Sequence, residues 1–128
     1  MTPRVPVSWG ELLDKITILE IKSARLTSEQ ALGNVRNELA QLSKVAAPAE
    51  SSHAQIRGLK TALKKINEAL WDIEDRIREH EEKKTFDRDF IELARSVYKN
   101  NDERGRLKRE INTILKSELI EEKQYKPY

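Results

Sequence analysis

The sequence predicts an all-α fold: an elongated helical bundle built on an antiparallel coiled-coil hairpin, with a short extended C-terminal tail. Three observations predict it. Of the 128 residues, 36% are charged and 38% hydrophobic, fewer apolar and more charged side chains than an average globular domain, as amphipathic helices with broad solvated faces require. Two stretches repeat apolar residues at alternating spacings of three and four, the seam of packed helices. Candidate helix starts carry Ser or Thr followed three residues later by Glu or Gln, a reciprocal capping signature. At roughly 150 residues per domain, the chain makes one domain.

Residues 1–7 form an extended arm, because Pro3 and Pro6 lack backbone donors and hold their predecessors extended. Helix 1 is predicted over 8–26: Ser8 and Glu11 make the capping box, and Leu12, Ile16, Leu19 and Leu26 line one face. Ile18 and Ile21 add a second apolar strip, more circumference than one partner covers, so helix 1 is expected between other helices. Thr27 and Gln30 repeat the cap for helix 2 (28–46), where Leu32, Val35, Leu39, Leu42 and Ala46 keep heptad spacing. Pro48 and the small polar run from Ala47 to Ser52 predict a loop that reverses the chain. Helix 3 (52–82) has the most regular seam, Ile56, Leu59, Leu63, Ile66, Leu70, Ile73 and Ile77, with His80 at the next seam position, and is expected to pair with helix 2. A break precedes helix 4 (87–118), where Phe90, Ala94 and Val97 and then Leu107, Ile111, Ile114 and Leu115 flank a polar gap. The tail, 119–128, is extended and expected to pack back through Tyr125 and Tyr128. Helix 3 alone would be about 40 Å long at 1.5 Å per residue, so the molecule is elongated, and a long hairpin with little to cover its seam predicts a homodimer.

Composition excludes several chemistries. With no cysteine, disulfides, thiolate metal sites and cysteine nucleophiles are out. No apolar run approaches the roughly 20 residues of a membrane span, and the start lacks the apolar stretch of a secretory signal, so a cytoplasmic protein is expected. A formal net charge of +2 gives the whole molecule no strong field toward a polyanion. The charge is uneven, however: seven basic residues against three acidic ones lie between Arg95 and Ser117. Arg104, Arg106, Lys108 and Arg109 crowd one helix, but Glu103 and Glu110 interleave, so nucleic acid is not the expected partner.

Two places stand out as candidate sites for a small anionic ligand. In the polar gap, Asn100 or Asn101 and Arg104 fall where aliphatic residues are expected, with Gly105 beside them, and polar groups in a seam must be satisfied. There Arg104 offers paired donors to a phosphate or carboxylate, Asn101 reads a hydroxyl or base edge, Tyr98 offers a ring, and Lys108 lies one turn on. The same residues equally fit a register-setting polar layer or a helix break at NND-x-x-G. The second place is the start of helix 1, with Trp9, Gly10, Glu11 and Lys15, because free N–H groups at a helix N-terminus suit an anion. An ordinary cap and a Glu11–Lys15 surface pair is the structural alternative. Glu11 with Asp14, and Asp72, Asp75 and Glu79 on helix 3, resemble in spacing the carboxylates of all-α Mg²⁺-dependent pyrophosphohydrolases, although Arg76 and Arg78 alternate with the latter as on a solvated face. His53 and His80 lack a paired ligand at metal spacing, so no metal or cofactor is expected. Trp71, beside the seam, reads as a core or dimer contact.

Three stretches, VSWGELLDKITILEIK (Val7 to Lys22), NEALWDIEDRIR (Asn67 to Arg78) and ARSVYKNNDERGRLKREIN (Ala94 to Asn112), with the ending EEKQYKPY, resemble a family of small uncharacterised bacterial and phage proteins. The likeness covers most of the chain, apart from Ser43 to His53. It implies a helical domain of unknown function, sometimes found near surface-polysaccharide and glycosyltransferase genes, and carries no established activity or site. Together these readings lead to a non-catalytic, dimeric binding module for a small anionic, nucleotide-like or sugar-phosphate ligand, one that sequesters a signalling nucleotide if phage-borne. The alternatives are an interaction scaffold accessory to surface-polysaccharide biosynthesis and a Mg²⁺-dependent nucleotide pyrophosphohydrolase.

Overall fold

Short polar side chains decide where three of the four helices begin. Ser8 Oγ accepts the Glu11 N–H at 3.2 Å, Ser28 Oγ that of Ala31 at 3.3 Å, and Asp87 Oδ1 that of Phe90 at 3.0 Å, each satisfying a first-turn donor. The structure, a computed structural model that describes residues 1–128, is all-helical, with α1 at Trp9–Arg25, α2 at Glu29–Ser52, α3 at Ala54–Lys83 and α4 at Arg88–Ile114. The cap of α2 is Ser28, one residue past the expected Thr27.

The short α1 is the centre of the bundle and packs against all three other helices. Leu13 and Ile16 are wholly buried there, joined by Ala46 of α2, Ile56 and Leu63 of α3, and Leu107 and Ile111 of α4. Its two apolar strips do lie between partners, as their width requires. The pairing of the other helices differs from expectation. The principal partner of α3 is α4 and that of α2 is α1, while α2 and α3 share the least contact of any packed pair. A seam records that a helix is packed and leaves its partner open.

Two boundaries and one core position are corrected. First, the loop expected around Pro48 is absent: α2 runs through it to Ser52, and the chain turns at His53 alone (φ −135°, ψ 105°). Pro48 is exposed and Ala46 and Ala49 on either side are buried, so packing of the small residues holds the turn that the proline weakens. Second, α4 is continuous through Gly105 and ends at Ile114, not at 118. Arg106 pairs with Glu103 at 2.6 Å and Glu110 at 3.1 Å, and Asn100 Nδ2 donates to the Ser96 carbonyl at 2.8 Å, supporting a stretch of weak helix formers. Third, Leu93 takes the buried place expected of Ala94, which is exposed. At the far end α3 stops where Lys84 adopts a left-handed conformation (φ 53°), as helix C-termini commonly do. No helix is long and apolar enough to cross a membrane.

Candidate functional site

The polar gap of α4 is closed from within the chain. Arg104 Nε and Nη2 donate to the two oxygens of Asp14 at 2.8 and 2.6 Å, the forked geometry in which a guanidinium meets a carboxylate best. Asn67 of α3 adds a donor to Asp14 Oδ1 at 2.9 Å and another to Thr17 Oγ1 at 2.9 Å. Asp14 is 1% exposed. Burial pushes its carboxyl up, but hydrogen bonds from Arg104 and Asn67, with the charges of Arg104 and Lys108, hold it below the ordinary carboxylate value. The bond to Asp14 likewise raises the Arg104 guanidinium against the opposing effect of burial. The buried anion that Arg104 binds is thus a side chain of α1, and its remaining Nη1 reaches Asn101 Oδ1 only at 3.5 Å.

The start of α1 is equally occupied. The N–H groups of Trp9, Gly10 and Glu11 are accepted by Ser117 Oγ at 3.1 Å, Asn112 Oδ1 at 2.7 Å and Ser8 Oγ at 3.2 Å, so they are not free to take an external anion. Gly10 is there for close approach: a Cβ on it would stand 2.5 Å from the Lys108 carbonyl oxygen, well inside contact distance. The Glu11 carboxylate does not return to Ser8 as a capping box would. It accepts from Lys108 Nζ at 2.8 Å, and Lys15 pairs with Glu38 of α2 at 2.9 Å instead of with Glu11.

Lys108 ties this end to the tail. Its side chain is 7% exposed and lies between Glu11 and Glu121, each at 2.8 Å. Burial lowers the ammonium, yet the two carboxylates outweigh it and raise Lys108 above its ordinary value, while Lys108 holds Glu121 down. Farther along, Arg109 meets Glu122 at 3.0 Å. Tyr128 then packs edge-on to Tyr98, centroids 5.2 Å apart, and donates its hydroxyl to Asp102 at 2.8 Å, a bond that pushes its phenol up. The tail therefore lies back along α4 as expected, held through the Tyr128 contacts with Tyr98 and Asp102, while Tyr125 and Tyr128 both remain largely exposed.

Between tail and helix runs a groove of about 680 Å³. Tyr98, Tyr125 and Tyr128 line it with Arg106, Lys108, Arg109, Lys123 and Lys126, against Asp102 and Glu121. Lys123 crosses Gly105, its Nζ 3.4 Å from where a Cβ would stand, so the glycine leaves room for a tail lysine. Lys123 and Lys126 make no ion pair, whereas Lys108 and Arg109 are both held by tail carboxylates.

The sequence-predicted site is thus divided. Tyr98 and Lys108 line the tail groove; Asn101 and Arg104 line a second groove on the next face of α4; Trp9, Gly10 and Glu11 form the α1–α4 junction; and Lys15 points to α2. Sequence reasoning missed Asn67 as the third member of the Asp14 cluster, and Lys123 and Lys126 as the unpaired cations. An asparagine directly beside Ile66, flanking an aliphatic seam, is the available signal for the first. The carboxylates a hydrolase would need are dispersed, Glu11 on Lys108, Asp14 on Arg104 and Asp72 on Arg25, and no three His, Asp or Glu side chains gather as a metal site.

No curated protein and no solved structure matches the chain. A family model does, over residues 3–128, from the N-terminal arm to the end of the tail, and the chain belongs to that family, a family of unknown function (DUF6165).

Proposed function

We propose that the protein is a non-catalytic helical binding module that works as a homodimer and holds a small anionic, nucleotide-like or sugar-phosphate ligand in the groove between α4 and the tail. One observation carries the reading: two lysines without ion pairs, Lys123 and Lys126, line a groove that also offers three tyrosine rings. Cations without partners favour an anion, and rings give a base or sugar an apolar surface. The location moves away from Arg104, whose fork is taken by Asp14.

Native mass spectrometry of the purified chain with linear and cyclic nucleotides and nucleotide sugars tests this, reporting subunit number, bound mass and turnover together. A dimer carrying an unchanged ligand is expected, with affinity at least tenfold weaker in Lys123→Ala/Lys126→Ala and unaltered thermal unfolding. Unchanged affinity in the double variant would sink the tail-groove assignment. Mg²⁺-dependent release of pyrophosphate would replace binding by hydrolysis. A second reading, the interaction scaffold, draws on Phe86 and Ile91, each 53% exposed near the α3–α4 turn; a stable dimer that binds nothing in the panel would favour it.

A further inference from the structure

The second groove differs in chemistry from the tail groove and shares no residue with it. It opens where α1, α3 and α4 meet and has a volume of about 500 Å³. Ile18, Ile21, Leu70, Trp71 and Val97 give it apolar walls. At its floor lies Asn67, 6% exposed. The Asp14 carboxylate accepts only, so it fixes the Asn67 amide with Nδ2 toward Asp14 and Thr17 and Oδ1 turned away. That oxygen accepts no hydrogen bond from the chain, and Asn67 lines the groove. Asn101, which lines the same groove, turns Oδ1 to Arg104 Nη1, and its Nδ2 donates to nothing in the chain.

An acceptor that a buried side chain leaves open to the groove, and a free donor lining the same groove, set among apolar walls with an indole, are the complement of a ring that carries N–H beside C=O. Charge argues for a neutral occupant: Glu74 and Asp75 line the groove with Arg78, and Arg104 is already neutralised by Asp14, which leaves the lining short of positive charge for a phosphate. We propose that this groove is a second binding site, taking an uncharged planar cyclic amide whose N–H donates to Asn67 Oδ1 and whose carbonyl accepts from Asn101 Nδ2, with Trp71 against the ring. Trp71 then acts as a stacking wall instead of the core contact its place in the sequence suggested. It is half-buried, with Arg25 5.7 Å from its ring centroid.

The probe is uracil, and its control is 1,3-dimethyluracil, which keeps the ring and both carbonyls but has no N–H. In the full chain carrying Trp9→Phe, so that Trp71 is the sole indole, ¹⁵N-resolved NMR follows the Trp71 Nε1–H and Asn67 side-chain signals. Uracil is expected to move both saturably at millimolar concentration, and dimethyluracil to leave them in place. Asn101→Leu should weaken uracil binding at least tenfold at unchanged helix content; Asn67 is left intact because it also holds Asp14. Absence of saturable shifts, equal shifts with both probes, or full affinity in Asn101→Leu overturns the proposal. None of these outcomes bears on the lysines of the tail groove.

Discussion

At Asp14 a carboxylate that is 1% exposed keeps its charge because three N–H donors from two helices reach it. Such a pair costs desolvation on both sides, so it specifies an arrangement more than it stabilises one, and removing a single member is harsh. Asp14→Asn leaves Arg104 half-buried without a counter-charge and should cost about 3–5 kcal/mol in urea unfolding. Asp14→Leu/Arg104→Met should lose much less than the two single changes added together, because no unpaired charge remains. The sign of the pH dependence follows from the same contacts. Asp14 has a folded pKa below its unfolded value of about 3.9, so its contribution is complete above about pH 5 and is lost as pH falls through the folded pKa. Lys108 is raised, so its contribution is complete below the unfolded value of about 10.4 and is lost as pH climbs through the folded pKa. Urea midpoints should therefore form a plateau between about pH 5 and 10, with an acid limb that shrinks in Asp14→Asn; an undiminished acid limb in that variant contradicts the assignment.

Among the helices, the four glycines divide by what surrounds them. Gly10 sits against the Lys108 backbone and Gly105 under Lys123, whereas Gly33 and Gly58 have open space where a side chain would go. In mid-helix a glycine costs roughly 1 kcal/mol against alanine. Gly58→Ala should thus stabilise by about 0.5–1 kcal/mol, while Gly10→Ala must push α1 off α4 and should destabilise by about 1–3 kcal/mol, both read by thermal unfolding. Pro48→Ala should stabilise α2 by up to about 3 kcal/mol, because it restores the backbone donor and removes the ring clash in a helix that already continues. This element also marks the limit of local reading. Proline and small residues at 46–52 have turn chemistry, and only the burial of Ala46 and Ala49 against the rest of the bundle overrides it. Caps were more legible, since Ser8 acts within its own first turn and needs no distant partner.

Across the whole molecule, periodicity made the helices visible and left their neighbours unstated. The doubled apolar strip of α1 did announce a helix enclosed by others. The Asp14–Arg104 pair spans 90 residues, so Arg104 was legible as a polar residue in an apolar seam, whereas its answer in α1 was not. The tail behaves as an attached strap. Removing residues 119–128 should leave helix content by circular dichroism unchanged and cost about 1 kcal/mol, since Lys108 keeps Glu11 when Glu121 is gone; collapse of the helical signal would mean the tail is part of the core. The enclosure of α1 has one more consequence, for synthesis. This helix leaves the ribosome before the other three, yet Leu107 and Ile111, which complete its surroundings, are made over 80 residues later. At about 5–20 residues per second the apolar faces of the nascent α1 wait on the order of 5–20 s for their cover, an interval in which a chaperone or another nascent chain is the available partner.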